Sequence, residues 1–125
     1  MFYNYEYIYH RLQRSKFRNR FHLNKSDIEY INNKGMEIIY FHCMDFVNKK
    51  LKKRNIKNDG KQTPYKGHPV FIAQHATGTC CRKCINKWYK IPLDRDLTDD
   101  ELNYIAGIIM FWINKEINLF RKNLK

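Results

Sequence analysis

Apolar residues recur at three- and four-residue intervals along most of this chain, the period of a helix with one buried face. The stripe is longest in the last quarter: Leu102, Ile105, Ala106, Ile109, Trp112, Ile113, Ile117 and Phe120. From Tyr104 to Ile113 the chain is apolar nearly all round. A helix without a polar face is buried among other elements, so the helix over 99–122 is expected at the centre of the fold. Thr98-Asp99-Asp100-Glu101 opens it as a capping box, in which hydroxyl and carboxylate each satisfy the other's backbone N–H.

The earlier segments carry shorter stripes. Tyr3, Tyr5, Tyr7 and Tyr9 alternate with the period of a strand, while Tyr5, Ile8, Tyr9 and Leu12 fit a helix, which is favoured. Ser26-Asp27-Ile28-Glu29 reads as another capping box, with Ile28 and Ile31 turned inward. Gly35 ends that helix by taking a left-handed conformation. A helix from Met36 to about Arg54 follows, with Ile38, Ile39, His42, Phe46 and Leu51 on its inner face. His42 reads first as a core histidine, and Cys43 as small inert filler. Asn58-Asp59-Gly60 is a turn. His68-Pro69 opens a short helix with proline at its first position; Phe71, Ile72 and Ala73 are placed in the core, and Gly78 ends it. Thr79 is expected to cap a helix over 80–90, with Ile85, Trp88 and Tyr89 apolar. These elements predict an all-α, single-domain bundle over 1–125, of about five helices around a zinc-clamped central loop.

The length of 125 residues suits one domain with a real core. Charge changes the picture more. Lys and Arg number 24 against 12 Asp and Glu, a formal net charge of +12. Such a chain is drawn to phosphate, an acidic membrane surface or an acidic protein. The cations fall in two segments. Arg11, Arg14, Lys16, Arg18 and Arg20 lie within 11–25, with Phe17 and Phe21 between them; Lys49, Lys50, Lys52, Lys53 and Arg54 lie in the second. Cations interleaved with aromatics suit phosphate pairing and base stacking. The bland reading is a solvated linker whose phenylalanines plug the core. Met1–Leu23 has no apolar signal segment, and the run Tyr104–Ile113 is too short for a bilayer. A cytoplasmic protein with reduced thiols and no membrane partner is expected.

The chemistry concentrates in residues 67–90. This segment holds His68, His75, Cys80, Cys81 and Cys84, three of the four cysteines. Zinc takes thiolate and imidazole in a tetrahedral shell, and Cys81-x-x-Cys84 supplies two ligands from one turn. His75 lies six residues before Cys81, across the flexible Thr77-Gly78-Thr79. Were 69–76 helical, His68 and His75 would share a face but sit about 10 Å apart. The fourth ligand is open among His68, Cys80, His22 and His42. Buried filler is a second reading, and since cysteines at a helix N-terminus also favour thiolate, a redox pair or nucleophile is a third.

The string His68-Pro69-Val70-Phe71-Ile72-Ala73-Gln74-His75-Ala76-Thr77-Gly78-Thr79-Cys80-Cys81-Arg82-Lys83-Cys84, followed by Lys87-Trp88, resembles a family of small basic bacterial proteins known only as a domain of unknown function. Ser15-Lys16-Phe17-Arg18, Phe21-His22-Leu23 and Asp59-Gly60-Lys61-Gln62-Thr63-Pro64 resemble it too. The similarity covers most of the chain. That family commonly shows His where this chain has Tyr89, and an alanine-like small residue where it has Gly78. The resemblance implies a stand-alone bacterial or phage-borne protein and brings no activity with it.

Three functions follow as expectations. The first is a zinc-binding, basic module that contacts nucleic acid or a nucleic-acid-processing complex. The second is a phage-encoded inhibitor of a host defence nuclease, anti-CRISPR-like, acting by protein–protein binding on an acidic surface. The third is a Cys/His or zinc-dependent enzyme. A zinc deaminase needs His-x-Glu and Pro-Cys-x-x-Cys; here His75-Ala76-Thr77 lacks the glutamate, and no catalytic residue is assigned. Rossmann glycines, a P-loop and internal repeats are absent from the sequence.

Overall fold

A side chain that can accept a hydrogen bond stands at most of the helix starts in this chain, and these caps divide it. The computed structural model describes residues 4–123. Among them the chain forms seven helices and no strand. They are α1 (Tyr5–Gln13), α2 (Lys16–Asn19), α3 (Lys25–Lys34), α4 (Met36–Leu51), α5 (Pro69–Thr77), α6 (Arg82–Tyr89) and α7 (Asp99–Asn123). The all-α expectation holds, with more helices than the five or so expected. One addition is α2, a single turn inside the first basic segment. Ser15 caps it, its Oγ accepting from Arg18 N at 3.2 Å. Phe2 and Tyr3 of the expected N-terminal helix lie outside the described residues.

Three boundaries differ from the expected ones. The capping box of α3 is Asn24 with Asp27, not Ser26 with Glu29. Asn24 Oδ1 accepts from Asp27 N at 2.8 Å, and Asp27 Oδ2 accepts from Asn24 N at 3.0 Å. Asparagine caps as well as serine, so the earlier pair captures the helix start. The α4 helix stops at Leu51 rather than Arg54, and its buried face is Ile39, Cys43, Val47 and Leu51. Ile38, expected inward, is 42% exposed. In the third case Thr79 does not cap α6; Cys81 does, its Sγ accepting from Cys84 N at 3.4 Å.

The centre of the bundle is α7, as its stripe predicts. Its inner residues Ile105, Ala106, Ile109 and Ile113 are fully buried, and it packs against both α4 and α5. Its capping box forms as expected: Thr98 Oγ1 accepts from Glu101 N, and Glu101 Oε1 accepts from Thr98 N. No helix among the described residues is long and apolar enough to cross a membrane.

The long connection between α4 and α5 has no regular structure, so side chains must hold it in place. Asp59 accepts from the first N–H groups of α6, Arg82 N and Lys83 N, each at 2.9 Å. A carboxylate there also meets the positive end of the helix dipole. Thr63 Oγ1 donates to Cys80 O at 2.8 Å. Arg82, 3% exposed, crosses beneath the loop and donates to the Leu51, Lys52, Lys53, Pro92 and Arg95 carbonyls. One guanidinium therefore ties the end of α4 to the start of α6 and to the segment before α7.

Candidate metal centre

Two features of the α5–α6 turn bring its cysteines together. Gly78 ends α5 with φ +69°, in the left-handed region. A Cβ on Gly78 would stand 2.4 Å from Trp88 Cδ1, so only glycine lets the indole of α6 close over the turn. The backbone then runs extended through Cys81 before α6 begins. As a result the sulfur atoms of Cys80, Cys81 and Cys84 lie within 4.8 Å of one another, a group that could hold a metal ion. Cys80 and Cys81 are buried and Cys84 is half-buried.

A fourth group reaches these sulfurs from the first basic segment. Arg18, expected among the phosphate contacts, is turned inward and only 8% exposed. Its Nη2 donates to Cys84 Sγ at 3.1 Å, and its Nη1 donates to His75 O at 2.7 Å and lies 3.6 Å from Cys80 Sγ. The cap at Ser15 places Arg18 in α2, which packs on α5. Arginine has five donors in a planar fork, suited to bridging a carbonyl and thiolates at once. The role assigned to Arg18 from its neighbours in sequence is therefore corrected.

The charge is focused on one sulfur. Hydrogen bonds from the Cys80 and Cys81 thiols, and then the Arg18 guanidinium, outweigh burial and hold the Cys84 pKa far below the ordinary thiol value. The reciprocal hydrogen bonds to Cys80 and Cys84, with burial, push the Cys81 thiol well up. At Cys80 the hydrogen bond with Cys81 lowers the pKa, but the hydrogen bond to Cys84, burial and the Cys84 charge leave it raised. The metal-free group is thus one thiolate fed by two thiols and one guanidinium. A metal ion there would require the other two thiols to lose their protons.

The histidines are placed elsewhere. His75 is buried, its ring stacked on Tyr65 at 4.0 Å between centroids and on Phe21 at 5.6 Å. Its Nε2 donates toward the Thr63 and Pro64 carbonyls, each at 3.1 Å. Burial holds its pKa below the ordinary value. His75 thus resembles a satisfied core residue that anchors the 52–68 connection, and it is not brought into the cysteine group. His68 is the N-cap of α5, its Nδ1 accepting from Val70 N at 3.0 Å. That acceptor role puts the proton on Nε2, which lies 2.9 Å from His42 Nδ1 and donates to it. Its ring sits among Tyr30, Phe46 and Phe71. His22 faces the buried Glu116 carboxylate, 3.2 Å from both oxygens. Of the residues predicted to hold metal, the fold assembles Cys80, Cys81 and Cys84, and leaves His68 and His75 in other networks.

The His68 network predicts a pH dependence. Burial and the neighbouring His42 lower the His68 pKa from 6.5 to about 4. A pKa depressed in the folded state means that stability is complete above 6.5 and is lost as pH falls toward 4, because His68 must then gain a proton it cannot hold while capping Val70. The ring is partly exposed, so solvent screening limits the loss to about 1 kcal/mol. A His68→Asn variant keeps a capping acceptor and removes the titration. Denaturant unfolding between pH 7 and pH 4 is expected to show a shallower decline for His68→Asn than for the native chain.

The other cations divide by environment. Arg14, Lys16, Arg20 and Lys50 are exposed, as are Lys49, Lys53 and Arg54. Lys49 pairs with Asp45, and Lys53 with Asp96. Lys52 is half-buried beside Arg82. Arg11 lies over the Trp88 ring, 5.3 Å from its centroid. Sequence reasoning passed over Arg82, Asp59 and Tyr89, whose hydroxyl donates to Thr77 O beneath the cysteine turn. Asp59 carried a usable signal: a turn aspartate is a candidate acceptor for the free N–H groups at the start of a helix elsewhere in the chain. Arg82 carried none, since it reads like any of the surface cations.

No solved structure matches this chain. The family model described as a domain of unknown function, DUF4186, matches residues 6–114 and so takes in most of α1, the 52–68 connection, the whole cysteine turn and most of α7. The chain belongs to the DUF4186 family.

Proposed function

We propose that this protein is a zinc-binding module whose ion is held by Cys80, Cys81 and Cys84, and that its basic surface contacts nucleic acid. One observation carries the metal reading: three sulfurs from one short turn lie within 4.8 Å of one another. Thiolate ligands favour zinc among the common divalent ions. Three thiolates around a divalent cation leave one negative charge, and the Arg18 guanidinium offsets it at hydrogen-bond distance from Cys84. Such outer-shell partners fix ligand geometry and tune affinity. Three protein sulfurs leave a tetrahedral ion one further position, open to water or a small ligand.

Metal content of the purified protein tests this, measured by plasma mass spectrometry beside a Cys81→Ser/Cys84→Ser variant. Near-stoichiometric zinc in the native chain and its loss in the variant are expected. A native chain purified without chelator and free of metal would overturn the reading. The polyanion reading is supported by the net charge of +12 and by exposed Arg14, Lys16, Arg20 and Lys50. A salt-varied gel shift checks it, and no retardation of DNA or RNA at low salt would remove it.

Thiol chemistry is the second reading, favoured by the guanidinium held on Cys84. A nucleophilic thiolate needs such a cation beside it. The His75 ring is held by its Nε2 on the Thr63 and Pro64 carbonyls rather than on a sulfur, so no Cys–His pair supports this reading. Rapid alkylation of Cys84 in zinc-free native protein would favour this reading.

A further inference from the structure

A second concave site lies away from the cysteines. It is a cleft of ≈ 530 Å³ between α1, α6, the segment after α6 and α7, and none of the three cysteines lines it. Its volume falls within the range of small-molecule sites. The walls combine aromatic rings, from Trp88, Tyr89 and Tyr104, with the cations Arg11, Lys90 and Arg95. Glu101 is its single acidic lining residue.

The charges are not equivalent. Arg95 and Glu101 satisfy each other through two parallel hydrogen bonds of 2.7 and 2.9 Å, and form a fixed wall. Arg11 and Lys90 have no carboxylate partner among the described residues. Arg11 lies over the Trp88 ring with its Cζ 5.3 Å from the centroid, and its one polar contact is a long one, Nη1 to Trp88 O at 3.5 Å. Most of its N–H groups therefore remain for a ligand. Lys90 ends α6 at φ +60°, a conformation in which glycine is the unstrained residue. The chain carries a lysine there, on the rim of the cleft.

A bare phosphate would leave the aromatic walls idle, and an apolar ligand would strip water from two unpaired cations. We propose that this cleft binds a nucleotide unit, with its base against the Trp88 and Tyr104 side and its phosphate between Arg11 and Lys90. Arginine forks match phosphate oxygens, and aromatic rings take any base by stacking. The unit is supplied by a free nucleotide or by single-stranded nucleic acid. The proposal takes only the sign of the ligand's charge from the polyanion reading above, and it is independent of any metal.

Tryptophan fluorescence gives a direct readout. The chain has two tryptophans, and Trp112 is buried in the core, so a ligand-dependent change reports Trp88. Full-length protein would be titrated with adenosine monophosphate and, separately, with a short single-stranded oligothymidylate. Saturable change is expected with at least one probe; saturation by the mononucleotide identifies a free ligand, and by the oligomer alone a chain. Lys90→Gly relieves the backbone while deleting the cation, so the fold is kept, and it should weaken binding about tenfold. Arg11→Gln should do the same, whereas Lys16→Gln, which removes an exposed charge outside the cleft, should not. No saturation by either probe up to about 1 mM would overturn the proposal. Equal weakening by Lys16→Gln and Lys90→Gly would also overturn it, while leaving diffuse polyanion binding intact.

Discussion

Arg82→Lys is expected to lower the unfolding midpoint of this protein by about 10–20 °C, although it keeps the charge. The reason is geometric. Nη1 of Arg82 donates to Leu51 O, Lys52 O and Lys53 O at 3.3, 3.2 and 2.9 Å, and Nη2 to Pro92 O and Arg95 O at 2.8 and 2.9 Å. Those carbonyls belong to two chain segments that only a fork of fixed width can span. A lysine ammonium has three donors on one atom and satisfies one segment while stranding the other. Stranded buried carbonyls cost about 1–3 kcal/mol each where water does not reach them. A net loss of about 3–5 kcal/mol follows, and in a chain of this size that gives the shift stated. Arg82→Ala removes both segments' donors together and approaches the whole stability of a domain, about 5–15 kcal/mol. Denaturant melts of Arg82→Lys read the effect, with the slope unchanged if the fold is kept. A change below about 1 kcal/mol would show that water replaces the guanidinium at these carbonyls.

Arg82 also marks the limit of what the sequence discloses. The helices were legible wherever burial writes a period: the α7 stripe, Pro69 at the start of α5, Gly78 at its end and the Thr98–Glu101 box all stand where their chemistry puts them. The cysteine group was legible because Cys81-x-x-Cys84 is a local turn, and Cys80 follows from adjacency. What did not show was the use of charged and polar side chains across long separations. Arg18 and Arg20 are two residues apart in one basic run, yet one is buried on thiols and the other exposed. Nothing in their spacing separates them; the Ser15 cap and the packing of α2 on α5 decide it. Residue type and nearness in sequence make His68 and His75 candidate metal ligands. Both His68 ring nitrogens are instead engaged, by Val70 and His42, and His75 Nε2 by the Thr63 and Pro64 carbonyls, contacts set by how the 52–68 connection folds back. Periodicity encodes which face is buried, but not which polar group a buried arginine or histidine will meet.

The same distinction makes Arg18→Gln the sharpest probe of the cysteine centre. Glutamine is uncharged and two bonds shorter than arginine, so it withdraws the guanidinium from both His75 O and Cys84. Removing one partner of a buried ion pair leaves the other desolvated and unpaired, at a cost of about 3–5 kcal/mol. Cys84 can recover part of this by taking a proton, so about 2–3 kcal/mol of destabilisation is expected near neutral pH. Its pH dependence follows from the sign of the shift. The Cys80 and Cys81 hydrogen bonds, and after them Arg18, hold the Cys84 pKa below its ordinary value of 9.0, so the stabilisation to which Arg18 contributes is complete above that value and is lost as pH falls. Arg18→Gln should therefore flatten the rise in stability between about pH 6 and pH 9, and shift Cys84 alkylation to higher pH. On the proposed zinc reading, affinity for the ion should fall by about 10–100-fold, the usual cost of losing an outer-shell partner. Arg18→Lys restores the charge without the fork and should recover the alkylation profile more fully than the midpoint. Were Arg18 a phosphate contact instead, Arg18→Gln would leave the melt and the alkylation profile unchanged and weaken only the gel shift. The two outcomes do not overlap, and a burial of 8% exposure argues for the first.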